Sequence, residues 1–197
     1  MLKALVSTFA IALSATLLFA GGDKSKVAGP IPGDAAPTFA AQDQNGSPVN
    51  LESLRGKVVV LEWFNNECPY VVKHYKTGHM NDLAGQYADK GVVWLAINST
   101  NGKSAADMKE IAVEWKISRP IVLDSDGSIG KSYGSKNTPT MYIIDKDGKV
   151  AYRGAIDSKS DSSSDSIASS TCYVSKALDE ILAGKPVSEP MTKAYGC

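Results

Sequence analysis

Cysteine and histidine are scarce in this 197-residue chain, with three of the first and two of the second. Three is an odd number, so a set of structural disulfides within the chain leaves at least one thiol over or pairs it elsewhere. The two histidines, His74 and His79, are not spaced i, i+4 and so do not make a metal pair on one helix face; they read as polar residues on a helix surface. Net charge is lacking too: 21 basic residues balance 21 acidic ones. No long run of one sign occurs. Both facts argue against a nucleic-acid binder, which normally carries a basic surplus. Asp124 and Asp126 open no calcium loop, because no Glu follows at the required spacing. Beyond one N-terminal stretch, no segment is apolar enough to span a membrane. No internal repeat is present.

What is there is ordinary in bulk. Apolar content of 43% and charged content of 21% are those of a globular protein, and the length suits one domain with a real core. The N-terminus is the exception. Lys3 precedes an apolar stretch from Ala4 through Leu18, and small residues Ala20, Gly21 and Gly22 follow. This is the pattern of a signal peptide over residues 1–20, with a retained membrane anchor over residues 4–20 as the alternative. Either way the domain is expected outside the cytoplasm, in a periplasmic or extracellular setting where disulfides persist. Residues 21–35 lack periodicity and read as a linker.

From residue 36 onward the pattern is that of a folded domain. Pro37 to Leu51 predicts a hairpin turning at Asn45-Gly46. Val58-Val59-Val60-Leu61-Glu62-Trp63-Phe64 predicts a buried central strand. Pro69, suited to a first helical position, opens a helix to Lys90 that Gly91 ends. Its inward positions are Val72, Tyr75, Leu83 and Tyr87. Val92 to Asn98 is a second buried strand. Ser104 with Asp107 resembles a capping box for a helix through Trp115. A short strand at Pro120 to Leu123, a short helix at Ser128 to Tyr133, and a hairpin from Met141 to Ala155 follow. Eight of the 14 residues in 158–171 are Ser, so 158–170 reads as a flexible Ser/Asp-rich loop. A helix from Thr171 to Leu182 and a tail to Cys197 complete the chain. Strands alternating with helices imply an α/β fold with a central sheet covered on both faces. Trp63, Trp94 and Trp115 read as core residues.

The chemistry concentrates at Cys68. It lies just past the apolar strand and before Pro69 and a helix. Unpaired N–H groups at a helix start stabilise a thiolate and so make a nucleophile at neutral pH. Glu67 opposes this if its carboxylate turns inward. Thr138-Pro139, directly before a strand, is a candidate cis peptide.

Cys68-Pro69-Tyr70 at a strand–helix junction, with Thr138-Pro139 before a hairpin, resembles the thioredoxin superfamily. Ala36-Pro37-Thr38-Phe39, Leu54-Arg55-Gly56-Lys57, Gly91-Val92-Val93, Tyr152-Arg153-Gly154 with Asp157, and the ending Tyr195-Gly196-Cys197 point to its redoxin branch, AhpC/TSA-like, and within that to exported thioredoxin-like proteins. The resemblance covers residues 36–197. It implies a thioredoxin-like fold with a central mixed sheet flanked by helices and an N-terminal hairpin extension. It also implies thiol-based redox chemistry on a protein or small-molecule disulfide, or a peroxide, in the service of antioxidant defence or redox homeostasis. An external thiol would be the reductant; no cofactor, metal or nucleic acid is implied, and a membrane matters only if the N-terminal segment is retained. Cys68 would be the nucleophile, and Pro69, Thr138 and Pro139 would face the substrate.

Two family positions depart from the pattern. The second cysteine of a C-x-x-C dithiol is Val71 here, and the peroxiredoxin Thr or Ser three residues before the reactive cysteine is Asn65. A partner thiol must therefore be Cys197, Cys172 or one from another molecule. Cys197, in a tail, is placed either to resolve Cys68 or to staple the tail by a static disulfide. Cys172, opening the last helix, reads as structural or spare. The alternative to an enzyme is a non-catalytic binding or scaffold module with a structural Cys68–Cys197 disulfide.

Overall fold

The computed structural model describes residues 28–197. The expected signal segment lies outside the described residues, as do residues 21–27 of the linker.

Seven strands and five α-helices are present among the described residues. In chain order they are β1 (Ala40–Gln42), β2 (Pro48–Asn50), β3 (Val59–Trp63), α1 (Pro69–Lys76), α2 (His79–Ala88), β4 (Val93–Asn98), α3 (Ala105–Glu114), β5 (Ile121–Leu123), α4 (Ser128–Tyr133), β6 (Met141–Ile144), β7 (Val150–Gly154) and α5 (Tyr173–Leu182). β1 and β2 form the expected N-terminal hairpin, and the other five make one sheet in the order β5-β4-β3-β6-β7. β3 runs parallel to β4, with Leu61 opposite Leu95, and antiparallel to β6, with Leu61 opposite Tyr142. The sheet is therefore mixed, and β3, buried at all five positions, is its centre.

Alternation along β3 divides the core. Val59, Leu61 and Trp63 face a cluster with Leu95, Ile97, Tyr142, Ile129 and Tyr133, roofed by the hairpin residues Val49 and Leu51. Val58, just before β3, and Val60 face the other layer, with Val71, Met80, Leu83, Met108, Val174 and Leu178 from the four remaining helices. Side chains alternate across a strand, so each β3 residue commits to one layer.

Two expectations change. The helix from Pro69 to Lys90 is two helices, because Gly78 adopts φ 76° and ends α1 before His79 starts α2. A left-handed residue cannot sit inside an α-helix, and glycine takes that conformation without a Cβ penalty. The Ser/Asp stretch, expected to be flexible, contains a 3-10 helix over Ser164–Ser169. It is fixed at its start by the Lys73 ammonium, which donates to the carbonyls of Lys159 at 2.7 Å and Asp161 at 2.8 Å.

Candidate functional site

β3 ends at Trp63, and the chain turns through Asn65 and Asn66 before α1 begins. Asn65 shapes this turn: its Oδ1 accepts from Glu67 N at 2.8 Å, and its carbonyl accepts from Cys68 N at 3.1 Å. Cys68 is then the N-cap of α1, extended at φ −82° and ψ 119°, with Pro69 following at the helix start. Its carbonyl receives the first helical N–H groups, from Val71 and Val72, each at 2.9 Å. Cys68 is 1% exposed. Glu67 does not turn inward. It is exposed and pairs with Lys103 at 2.5 Å, so the acidic neighbour does not oppose a thiolate.

Two segments distant in sequence meet at Cys68. The Thr138–Pro139 peptide is cis, and the Thr138 carbonyl oxygen lies 3.1 Å from Cys68 Sγ. From the other side comes the arm that follows α5. Cys197 is bonded to Cys68 in a disulfide with a Cα–Cα distance of 6.0 Å across 129 residues, within the normal range for such bonds. Cys197 N donates to Thr138 O, and Thr138 N donates to Cys197 O, both at 3.0 Å. This reciprocal pair is what two antiparallel strand residues make. Gly196 permits the approach: its φ is 129°, and a Cβ there would lie 1.8 Å from Thr138 O. Beside the disulfide, Trp63, Asn65, Ser99, Lys131 and Thr138 line a cleft of about 550 Å³.

Cys172 stands apart. It is the free cysteine among the described residues and caps α5, its sulfur accepting from Ser175 N at 3.5 Å. Burial pushes its thiol pKa up, which makes it a weak nucleophile.

The arm passes over a buried polar cluster that neither composition nor periodicity reveals. His74, expected at a helix surface, is 0% exposed, and its neighbour Lys73 and Asp157 are each 1% exposed. Tyr195 from the arm donates to Asp157 Oδ1 at 2.6 Å and lies 3.2 Å from His74 Nε2. His74 Nδ1 meets His79 Nδ1 at 3.0 Å. Lys73 Nζ sits 4.0 Å from Asp157 and 4.9 Å from the centre of the Tyr195 ring. Burial holds the His74 pKa down to about 3, outweighing the upward pull of Asp157. His79 is lowered for the same first reason. Burial and Asp157 raise the Tyr195 phenol, which stays protonated.

A second buried cluster fixes the helices. Glu62, wholly buried on β3, accepts from Tyr75 Oη at 2.7 Å, Trp94 Nε1 at 2.9 Å and Arg119 Nη2 at 3.1 Å. Arg119 also donates to Asn81 Oδ1 at 3.0 Å. Strands β3 and β4, helix α1 and the segment before β5 are thereby tied to one carboxylate, and α2 joins through Arg119. Burial and Glu62 together push the Tyr75 phenol well up.

A thiol at the start of a helix, beside a cis-proline loop on a mixed five-stranded sheet, defines a thioredoxin-fold protein. The chain belongs to the AhpC/TSA family, whose model matches residues 32–153. Among curated proteins it is similar to the thiol-disulfide oxidoreductase ResA of Bacillus thuringiensis subsp. konkukian, at 33% identity over 60% of this chain and 66% of that protein. The chain thus spans just under two thirds of the length of that relative. Among solved structures it resembles an uncharacterized conserved protein from Geobacillus kaustophilus, at 31% identity and a TM-score of 0.72, covering 85% of this chain and 90% of that one. It also resembles a putative thiol:disulfide interchange protein DsbE from Chlorobium tepidum, at 26% identity and a TM-score of 0.53, covering 63% and 84% respectively.

Among the described residues, no helix is long and apolar enough to cross a membrane.

Proposed function

We propose that this chain is a thiol–disulfide oxidoreductase in which Cys68 is the nucleophile and Cys197 the resolving thiol. The observation that carries the reading is the joining of the two sulfurs across the Thr138–Pro139 loop. In the reduced protein, the Cys68 thiolate, favoured by the positive end of the α1 dipole, attacks one sulfur of a substrate disulfide. The second substrate sulfur leaves as a thiolate, and Cys68 is left in a mixed disulfide. Cys197 then attacks the Cys68 sulfur, and the bound half of the substrate leaves. Two electrons pass from the protein dithiol to the substrate disulfide, and an external thiol reductant restores the dithiol.

The ResA and DsbE likenesses support disulfide exchange. A peroxide is the weaker substrate, because the place of the activating hydroxyl holds Asn65, whose Oδ1 is already occupied by Glu67 N. Thr138, Pro139 and Pro69 frame the approach to Cys68. The cleft beside Cys197 gives a substrate room. An exported setting, periplasmic or extracellular, accords with the apolar stretch Ala4–Leu18 and with a disulfide as a stable state.

The test is turnover of a small aromatic disulfide with dithiothreitol as reductant. The full chain should reduce it catalytically, and Cys68→Ser should abolish turnover. A Cys68–Cys197 bond that resists dithiothreitol in the native protein would instead identify a structural staple.

A further inference from the structure

We propose that Tyr195 is the latch of the C-terminal arm: seated on His74 and Asp157, it holds residues 193–197 over Cys68 in the reduced protein as well as the oxidised one, so that Cys197 waits at its target and Cys68 is covered until the arm opens. The inference rests on the roles proposed above for Cys68 and Cys197, and assigns the step between them to a residue that touches neither sulfur.

The arm is held at three places. At its start, Thr192 Oγ1 contacts Tyr152 Oη at 2.6 Å and accepts from Ala155 N at 3.0 Å, while Thr192 N donates to Arg153 O at 3.1 Å. At its far end, Cys197 makes the reciprocal pair with Thr138. Between them stands Tyr195. The phenol donates to the Asp157 carboxylate, so its oxygen accepts from His74 Nε2–H. The other His74 nitrogen then accepts from His79 Nδ1–H. Three hydrogen bonds run in one direction from His79 to Asp157. None of these contacts requires the disulfide. The Tyr70 ring, tilted at 54°, lies 5.9 Å from the Tyr195 ring, and the Lys73 ammonium lies over the Tyr195 ring.

The latch is also tied to the helix that presents the thiol. Lys73 and His74 belong to α1, which Cys68 caps. Cys68 and the seat of Tyr195 are thus set by one rigid element, and the arm spans the distance between them. A tethered thiol held in this way acts at high effective concentration, and loses it when the tether loosens. Cys68, 1% exposed with the arm in place, becomes accessible only as the arm lifts.

The test uses the full chain with Tyr195→Phe, which keeps the ring and removes only the hydroxyl, and Tyr195→Leu. Each is equilibrated in reduced and oxidised glutathione, quenched with acid, alkylated and weighed by mass spectrometry. Tyr195→Phe removes the hydroxyl's hydrogen bonds to Asp157 and His74, so the arm opens in the reduced variant while the disulfide still tethers it in the oxidised one, and the effective molarity of Cys197 toward Cys68 should fall on the order of tenfold. Tyr195→Leu should lower it further, and Cys68–glutathione mixed disulfide should accumulate in both. Alkylation of Cys68 in the reduced variants should become several-fold faster. General loss of structure would give the same two changes, so alkylation of the free Cys172 is read in the same samples: faster labelling of Cys68 with unchanged labelling of Cys172 marks the latch, and equal acceleration at both overturns it. Variants that close the disulfide like the unmodified protein overturn the latch, as do variants whose Cys68 alkylation is unchanged or slower. Absence of any Cys68–Cys197 bond in the unmodified protein overturns the parent reading, and the latch with it.

Discussion

Cys197 and Thr138 exchange both of their backbone hydrogen bonds, each at 3.0 Å, so the arm meets the cis-proline loop as one strand residue meets another. The Cys68–Cys197 disulfide is therefore the covalent part of a contact that the backbone makes as well.

The two cysteines outside the helix start should behave differently. Cys197→Ser should leave the first attack by Cys68 intact and stop resolution, so a substrate half stays attached to Cys68 and is detected by its mass. Cys172→Ser should leave turnover within about twofold, since the Cys172 thiol is held protonated by burial. Turnover that depends on Cys172 would transfer the resolving role to it.

Gly196→Ala places a Cβ where Thr138 O already stands and demands a φ that alanine disfavours. The reciprocal pair should break. Closure of the disulfide in a glutathione buffer should fall by about tenfold or more, while the urea midpoint of the reduced protein changes little, because Gly196 is exposed. Normal closure in this variant would show that the disulfide needs no strand-like contact.

Arg119→Met strips Glu62 of its cation while leaving it wholly buried. Removing one partner of a buried pair costs about 3–5 kcal/mol. Urea unfolding should register that loss, and the double variant Glu62→Leu with Arg119→Met should recover part of it. Equal stability of Arg119→Met and the unmodified protein would mean that Tyr75 and Trp94 suffice for the carboxylate.

His74 supplies a pH dependence with a definite sign. Its pKa is about 3 in the folded protein against about 6.5 unfolded. Between these values the unfolded state binds the extra proton, so stability is full above pH 6.5 and is lost as pH falls toward 3. The slope from this group reaches at most about 1.4 kcal/mol per pH unit. His79 adds in the same direction. Unfolding free energies at pH 7, 5.5 and 4 should fall less steeply for His74→Gln than for the unmodified chain, and parallel slopes would show that His74 carries no such penalty.

The sheet was legible because its signals are local. The apolar run at Val58 to Phe64 announces a strand buried on both faces, and Ser104 with Asp107 makes the capping box its spacing predicts. Cys68 and Thr138-Pro139 were legible from their places before a helix and a strand. The turn at Gly78 was missed because inward positions such as Tyr75, Leu83 and Tyr87 keep a helical spacing on either side of it, and a single glycine inside such a pattern is tolerated. The Lys73–His74–Asp157–Tyr195 cluster was missed for a deeper reason. Periodicity treats charged side chains as solvent-facing, and nothing local to Lys73 shows that a loop and an arm about 90 and 120 residues away will cover it. The same holds for Glu62, whose cation lies 57 residues on. The pairing of Cys68 with Cys197 stood in between: the absence of a cysteine at Val71 demanded a distant partner without choosing it.

In a C-x-x-C motif the two thiols are neighbours in any conformation, including an unfolded one. Here 129 residues separate them, and closing so long a loop in a disordered chain carries an entropy cost that grows with its length. Only the native fold brings the sulfurs together. A newly made or reduced and denatured copy holds two distant thiols with no matched mate, so the capacity to cycle electrons arises with folding and vanishes with it.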